Sequence, residues 1–189
     1  MAYYQTIDCV KCDKALIDTC RDAISGKGDG RVSKEDAEKV FGKAMDGGKI
    51  TKTEHWTLCY CLTAFNWTEA AHDWILESLK DEDGEPKAKK AKTGKSYYET
   101  IESLKCDRGI IDACRDAVDG KGDGRVSALD AEQVWKKVSD GGKVTAVERW
   151  TLRYCLTVFN FTEKALDFIK AKLEEDEKKA LEDDKAAEN

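Results

Sequence analysis

Two identical eight-residue segments carry the side chains that could bind an ion. They span Gly26–Ser33 and Gly120–Ser127, and each places a lysine and an aspartate among three glycines. Carboxylate oxygens suit a hard cation, whereas successive glycine amides can surround an anion. The segments lack the Gly-Lys-Ser/Thr ending of a nucleotide-phosphate loop, and their aspartates would repel phosphate. The pattern therefore favours either cation chemistry or a purely structural turn.

The whole unit around these segments is duplicated. Residues 3–79 align with residues 97–173 at an offset of 94, and about 47 of roughly 77 positions are identical. Positions that differ between the two copies are positions that tolerate change. The predicted organisation is repeat 1 over 1–80, a basic linker over 81–95, repeat 2 over 96–173 and an acidic tail over 174–189 that we expect to fray.

Composition restricts the class of protein. The chain has 189 residues, and its single proline favours helices. Its net charge of −6 argues against general nucleic-acid binding. The N-terminal residues resemble no signal peptide, and no apolar run approaches a membrane span. We therefore expect a cytoplasmic, intracellular protein whose eight cysteines are reduced.

The linker is the one basic segment. Its lysines are Lys87, Lys89, Lys90, Lys92 and Lys95. They predict a soluble spacer, and a nuclear-import or polyanion-binding patch is the alternative. Nucleic-acid binding or a nuclear location would have to arise through this segment.

Each repeat is predicted to contain four helices. Helix 1 runs from Ile7 to Ile24, and helix 3, apolar over much of its circumference, is the central one. Helices 2, 3 and 4 begin at three capping pairs, which are Ser33 with Asp36, Thr51 with Glu54, and Asn66 with Glu69. The extended pieces Arg31–Ser33 and Lys49–Thr51 are expected to form a short antiparallel β-bridge between the loops.

The order of helix, Gly-Asp-Gly loop, aliphatic residue and capped second helix resembles a degenerate EF-hand pair in each repeat. The fold class that this implies is all-α, with two duplicated EF-hand-like four-helix domains and short inter-loop β-bridges. The calcium ligands that it implies are Asp29, Asp36, Asp46, Glu54, Asp119, Asp123, Asp130, Asp140 and Glu148. Two features depart from the family. Lys27 and Lys121 occupy ligand places, and only 18 residues separate Val32 from Ile50.

Two interpretations of the lysines remain. In the first, Lys27 and Lys121 are built-in cations that bond loop carbonyls and carboxylates, so that each loop is a fixed turn. In the second, the lysines point outward and a weak calcium site survives, stronger in the second copy because Asp119 replaces Ser25. The first is preferred, because a lysine offers no oxygen ligand and its charge repels a divalent ion.

Comparison of the two copies argues against a zinc site, a redox site and an enzyme active site. Cysteine pairs such as Cys9 with Cys12, together with His55 or His72, suggest a zinc or redox site. Copy two lacks four of the residues that such a site would use, namely Cys9, Cys59, His55 and His72. The shared cysteines are therefore predicted to pack in the core, and no repeated arrangement of side chains suggests an enzyme.

The aromatic residues could line a groove for a partner helix or fill the core. They are Trp56, Trp67, Trp74, Trp150, Phe161 and Phe168. The predicted function is a non-catalytic module that binds a protein partner or serves a structural role, independent of calcium and without a cofactor. A calcium sensor or buffer is the alternative.

Overall fold

A computed structural model describes residues 3–25, 29–83, 97–119 and 123–187. The chain divides into two compact domains, Met1–Lys95 and Ser96–Asn189. The lysine-rich part of the linker, Lys87 to Lys95, lies outside the described residues, as do Lys27 and Lys121.

The two domains repeat the same order of elements, a hairpin followed by four helices. Domain 1 contains β1 (Tyr4–Ile7), β2 (Val10–Asp13), α1 (Lys14–Ser25), α2 (Lys34–Ala44), α3 (Lys52–Ala64) and α4 (Glu69–Asp83). Domain 2 contains β3 (Tyr98–Ile101), β4 (Leu104–Asp107), α5 (Arg108–Asp119), α6 (Ala128–Val138), α7 (Ala146–Val158) and α8 (Glu163–Ala187). The fold is thus mostly helical, with two small antiparallel sheets.

A β-hairpin takes the place of the first part of the predicted helix 1. Exposed and less exposed residues alternate along Tyr4–Ile7, which is the period of a strand. The two-residue turn holds both Asp8 and Cys9 at positive φ, 45° and 64°, which is the primed turn that matches strand twist. Helix 1 therefore begins at Lys14 rather than Ile7, so its predicted start is wrong, whereas the mostly helical class is confirmed.

The third and central helix of each domain is confirmed as the most buried element. The buried residues of α3 include Trp56, Leu58 and Leu62, and α7 buries the equivalent residues. A helix buried on several faces must pack against neighbours on all of them. Consistent with this, α3 contacts both α1 and β2.

Two of the three predicted caps are confirmed in both domains. Ser33 with Asp36, and Thr51 with Glu54, form reciprocal capping boxes that satisfy the first amides of α2 and α3. The prediction for helix 4 is wrong. Thr68, not Asn66, precedes α4 and accepts a hydrogen bond from the Ala71 amide at 3.3 Å.

The predicted bridge between Val32 and Ile50 is also wrong. Val32 forms a parallel bridge with Trp67, in which its amide donates to Asn66 O at 2.7 Å and its carbonyl accepts from the Thr68 amide at 3.0 Å. The bridge joins the residues that precede α2 and α4, two helices that pack together. The second bridged loop contains only residues 65–68, far short of the roughly twelve residues of a calcium loop.

The predicted fraying after residue 174 is not observed, because α8 continues to Ala187. Two arginines of α7 hold this extension. Arg149 Nη1 lies 2.9 Å from Asp176, and the buried Arg153 pairs with Glu177. Copy one has His55 and Cys59 at the two arginine positions. The acidic segment is therefore part of the domain 2 structure.

Replacing the second turn residue by glycine, as Cys9→Gly and Ser103→Gly, should raise the unfolding free energy. Both residues hold a left-handed φ, 64° and 70°, which glycine adopts without strain. We expect a gain of about 0.5–1 kcal/mol for each domain, measured by urea denaturation. Ala23→Gly in α1 is the control and should cost about 1 kcal/mol. A loss at both turns would contradict the turn assignment.

Removing Glu177 should destabilise domain 2 strongly. Glu177→Ala leaves the charge of Arg153, which is 1% exposed, without this carboxylate, so we expect a loss of about 2–4 kcal/mol in chemical denaturation. The control is Glu174→Ala, three residues away, whose pair with Lys178 is solvent-exposed. It should change the unfolding free energy by no more than about 0.5 kcal/mol. Equal effects would show that Glu177 does not anchor α8.

Candidate functional site

The aspartates of the predicted ion loops are used to shape the backbone. Asp29 Oδ1 accepts a hydrogen bond from the Arg31 amide at 3.0 Å, and Asp123 accepts from the Arg125 amide at 3.1 Å. Such a bond between a side chain and the backbone two residues on is an Asx turn. Both aspartates are exposed, so each loop carries its carboxylate at the surface.

The arginine after each loop was not singled out by the sequence. Arg31 Nη2 donates to Trp67 O at 3.1 Å, and Arg125 Nη2 donates to Phe161 O at 3.3 Å. These bonds run beside the parallel bridge and attach the loop to the start of the fourth helix. Arg31 with Val32, and Arg125 with Val126, thus form a structural connection between the loop and the fourth helix.

Asp36 is occupied as a helix cap. Its Oδ2 accepts from the Ser33 hydroxyl at 2.8 Å, and its Oδ1 accepts from Lys39 Nζ at 2.8 Å. The hydrogen bonds from Lys39 and then Ser33 lower the pKa of the Asp36 carboxyl. Asp130 accepts from the Ser127 hydroxyl at 2.7 Å in the same way.

The other predicted ligands are dispersed. Asp46 pairs with Lys43 at 2.9 Å, whereas Glu54 and Glu148 accept hydrogen bonds from the capped amides of Thr51 and Thr145. Asp119 and Asp140 are exposed. Within residues 3–25, 29–83, 97–119 and 123–187, no three His, Cys, Asp or Glu side chains are grouped to hold a metal ion.

Most of the aromatic candidates lie in the core. Trp56, Trp67, Trp150 and Phe161 are buried, and Trp67 Nε1 donates to Cys61 O at 2.9 Å. Trp74 and Phe168 are half-buried, and Trp74 packs edge-to-face on Phe41. The four buried rings are not available to a partner in this conformation.

The cysteines shared by the two copies are buried in the core, as predicted. Cys12, Cys20 and Cys61 are fully buried, and none of the eight cysteines is in a disulfide. Burial raises the pKa of the Cys61 thiol, and a hydrogen bond with Cys20 raises it further. Burial likewise raises the pKa of Cys155 beside Cys114. Thiols in this state are poor nucleophiles and poor metal ligands.

The exposed side of the hairpin is a surface that sequence reasoning missed. Strand register pairs Tyr4 with Asp13 and Thr6 with Lys11, so these four side chains share one side of the sheet. We call this the hairpin face. In domain 2 it consists of Tyr98, Thr100, Lys105 and Asp107.

The hairpin face is chemically ordered in both domains. Lys11 Nζ lies 3.7 Å from the centre of the Tyr4 ring, and Lys105 Nζ lies 3.6 Å from that of Tyr98. Such a cation–π contact holds the ring and the lysine stem together at the surface. Among the described residues, the exposed large hydrophobic side chains are Tyr3, Tyr4, Tyr97, Tyr98 and Leu129. Four of these five belong to or adjoin the hairpins.

The two sides of the hairpin differ in how far the copies diverged. All four positions of the hairpin face are identical between domains. On the inner side two of the four positions differ, with Glu99 in place of Gln5 and Leu104 in place of Val10, whereas the isoleucine and the buried cysteine are retained. Packing normally restrains buried positions more than exposed ones. Burial does not account for the identity of the exposed Tyr4, Thr6 and Lys11, whereas Asp13 has contacts within the fold.

A charged cleft of about 540 Å³ adjoins the hairpin face in domain 1. It is lined by Tyr3, Asp13, Lys14, Ala15, Asp18, Lys43, Asp46 and Glu54. Four carboxylates and two lysines give a formal charge of −2. The equivalent residues of domain 2 are Tyr97, Asp107, Arg108, Gly109, Asp112, Lys137, Asp140 and Glu148. Every charge is retained there, and only lysine-to-arginine and alanine-to-glycine replacements occur.

Tyr97, the domain 2 counterpart of Tyr3, lies beside the carboxylates of Asp107 and Asp140. The charge of Asp107, followed by burial, a hydrogen bond with Asp107 and the charge of Asp140, raises the pKa of the Tyr97 hydroxyl. A neighbouring anion disfavours the phenolate and favours any cation that approaches. The cleft is therefore suited to a cationic group.

Comparison with known proteins gives no family. No protein-family model, curated protein or solved structure matches the chain. In the part of the chain that the structure describes, no helix is both long and apolar enough to cross a membrane.

Asp36→Asn and Asp130→Asn should destabilise the protein by weakening a helix cap, and calcium should not alter the size of this effect. Weakening the capping box should lower the unfolding free energy by about 0.5–1 kcal/mol, equally in millimolar calcium and in chelator. Asp29→Asn is the control, because asparagine keeps the Asx turn and should change stability little. Stabilisation of the wild type by calcium that is lost in Asp36→Asn would contradict this assignment.

The same prediction has a pH signature. The folded-state pKa of Asp36 is lowered, so its stabilisation is fully present above the ordinary carboxyl pKa and is lost as the pH falls through the lowered value. The stability difference between wild type and Asp36→Asn should therefore shrink below about pH 4. A difference that is constant with pH would show that the charge of Asp36 is not involved.

Proposed function

We propose that the protein is a non-catalytic, calcium-independent binding module that presents the same partner-binding surface once on each domain. The surface is the hairpin face together with the adjoining cleft. One observation carries the proposal: the exposed residues Tyr4, Thr6 and Lys11 recur unchanged in domain 2, whereas Gln5 and Val10 on the other side of the hairpin are replaced.

The chemistry of the hairpin face suits protein recognition. Tyrosine supplies a large, rigid, amphipathic surface at small cost in side-chain entropy, and it is enriched at interfaces. Tyr3 is 83% exposed and Tyr97 is 61% exposed, so a partner could bury much of either ring. The lysines stacked on Tyr4 and Tyr98 reduce the motion of those rings before a partner arrives.

Duplication adds a second reason. Two equal sites in one chain convert the second binding event into an intramolecular one, which raises affinity for a repeated or dimeric target without new contacts. This advantage requires that both sites recognise the same group. Retention of every charge in the cleft and of the whole hairpin face satisfies that requirement.

The test is site-specific photo-crosslinking followed by binary binding. A photoreactive benzoylphenylalanine at position 6 or at position 100 should crosslink the same protein from a native extract, because both positions lie on the hairpin face. With that protein purified, Tyr4→Ser combined with Tyr98→Ser should weaken binding by about tenfold or more. Calorimetry with the full chain measures the affinity.

Position 129 provides the matched control. Leu129 is 72% exposed, but its counterpart in copy one is Glu35, so the two domains do not share it. Crosslinking from position 129 should not yield that protein. The proposal fails if positions 6 and 100 capture different proteins or none, or if the tyrosine variants bind with unchanged affinity.

A further inference from the structure

Strand β1 is the outer strand of its sheet. The sheet in domain 1 has two strands, β1 and β2, and β2 packs on α3. Within the described residues, no third strand lies beside β1. The side chains of Tyr4 and Thr6 on this strand are exposed, and β1 also contacts α1.

The turn determines which backbone groups face outward. In a two-residue hairpin the residues that flank the turn, Ile7 and Val10, exchange hydrogen bonds, and bonded pairs then alternate along the ladder. The bond from the Lys14 amide to Tyr3 O, 3.1 Å, agrees with this alternation. The N–H and C=O groups of Tyr4 and Thr6 therefore point away from β2, towards the open edge.

This edge leads into the cleft. Tyr3, which immediately precedes β1, lines the cleft, and so does Asp13, the register partner of Tyr4. Among the lining residues, Lys14 pairs with Asp18 and Lys43 pairs with Asp46, which leaves the charges of Asp13 and Glu54. Both of these carboxylates also accept backbone hydrogen bonds, from the Leu16 and Thr51 amides. Arg21, outside the lining, is a second cation beside Asp18. A chain that runs along β1 would bring one of its end side chains to the Asp13 and Glu54 carboxylates.

We propose that each domain binds an extended peptide segment by strand addition to β1 or β3, with a lysine or arginine of that segment seated in the acidic cleft. Main-chain hydrogen bonds to the outward groups of Tyr4 and Thr6 hold the segment. The charge of the cleft selects a basic residue at one end, and the aromatic rim of Tyr3 can stack on its stem or charge.

The short edge explains the need for two copies. β1 has four residues, of which only Tyr4 and Thr6 present outward groups, so one domain can form few main-chain bonds. Binding at two domains compensates for the modest affinity of each. This inference rests on the proposed function and specifies the chemistry of its partner.

The experiment selects peptides from a displayed library of random sequences on the full chain. Enriched peptides should carry lysine or arginine at one end, followed by alternating β-branched residues. N-methylation of alternate peptide amides, which removes strand hydrogen bonds but keeps the charge, should weaken binding by about tenfold or more. Hydrogen exchange should show the Tyr4 and Thr6 amides becoming protected when the unmodified peptide binds.

Charge is tested separately in the cleft. Asp46→Asn with Asp140→Asn should weaken the selected peptide several-fold, because both remove one negative charge beside the basic residue. Glu35→Gln removes a charge outside the cleft lining and should leave binding unchanged. Replacing the terminal lysine of the peptide by glutamate should abolish binding at concentrations that saturate the original.

Three outcomes overturn the inference. Equal binding of the N-methylated peptide would mean electrostatic adhesion without strand addition. Protection of Tyr4 and Thr6 in the absence of peptide, with dimers in sedimentation, would mean that the edge is occupied by a second copy of the chain. Failure to enrich basic peptides while positions 6 and 100 still crosslink one protein would refute strand addition and leave the proposed function intact. Failure of both experiments would refute both.

Discussion

The contacts of Asp13, repeated at Asp107, connect the elements of each domain. The Asp13 amide donates to Thr57 Oγ1 at 2.8 Å, and its carboxylate accepts from the Leu16 amide at 3.1 Å. One residue thus ends the hairpin, caps α1 and joins both to the central helix. Thr57 is fully buried and its hydroxyl donates to Thr53 O, so its remaining capacity to accept a bond is directed at Asp13. Leaving the buried Thr57 hydroxyl and the Asp13 amide unpaired would cost free energy. The hydrogen bond between them therefore fixes the position of the hairpin on α3.

The surface follows from this arrangement. Because Asp13 lies opposite Tyr4, anchoring its backbone to α3 also orients the tyrosine and the side of the sheet that it shares. The Asp13 carboxylate also borders the cleft. Its counterpart in domain 2, Asp107, is only 4% exposed. A site built on a residue that the fold already requires can stay rigid, and rigidity reduces the entropy lost on binding. The hairpin face is therefore positioned by the core and not by a loop.

The sequence predicted those parts of the fold that depend on local chemistry. The capping boxes at Ser33 and Thr51 were recognisable because each is a four-residue pattern, and the central helix because its apolar surface extends round its circumference. The hairpin was not recognisable. A four-residue strand offers too few positions to distinguish a period of two from a helical one, and Cys9 and Ser103 take left-handed turn positions where glycine or asparagine is the usual signal. The bridge from Val32 to Trp67 depends on how α2 packs against α4, which no local pattern encodes.

The candidate site escaped prediction for a related reason. The Gly-Asp-Gly loop was predicted to be either a structural turn or a weak calcium site, and its aspartates cap a helix or close an Asx turn. Tyr4, Thr6 and Lys11 are the same in both copies, but they can be recognised as one surface only when the segment is known to be a hairpin, in which alternate residues share a face. Cys59 of domain 1 corresponds to the buried Arg153 of domain 2, whose ion pair with Glu177 holds the C-terminal part of α8. Most core positions, among them Cys20, Trp56 and Leu58, are nevertheless identical in the two domains, so the exposed hairpin residues are retained to the same degree as the core.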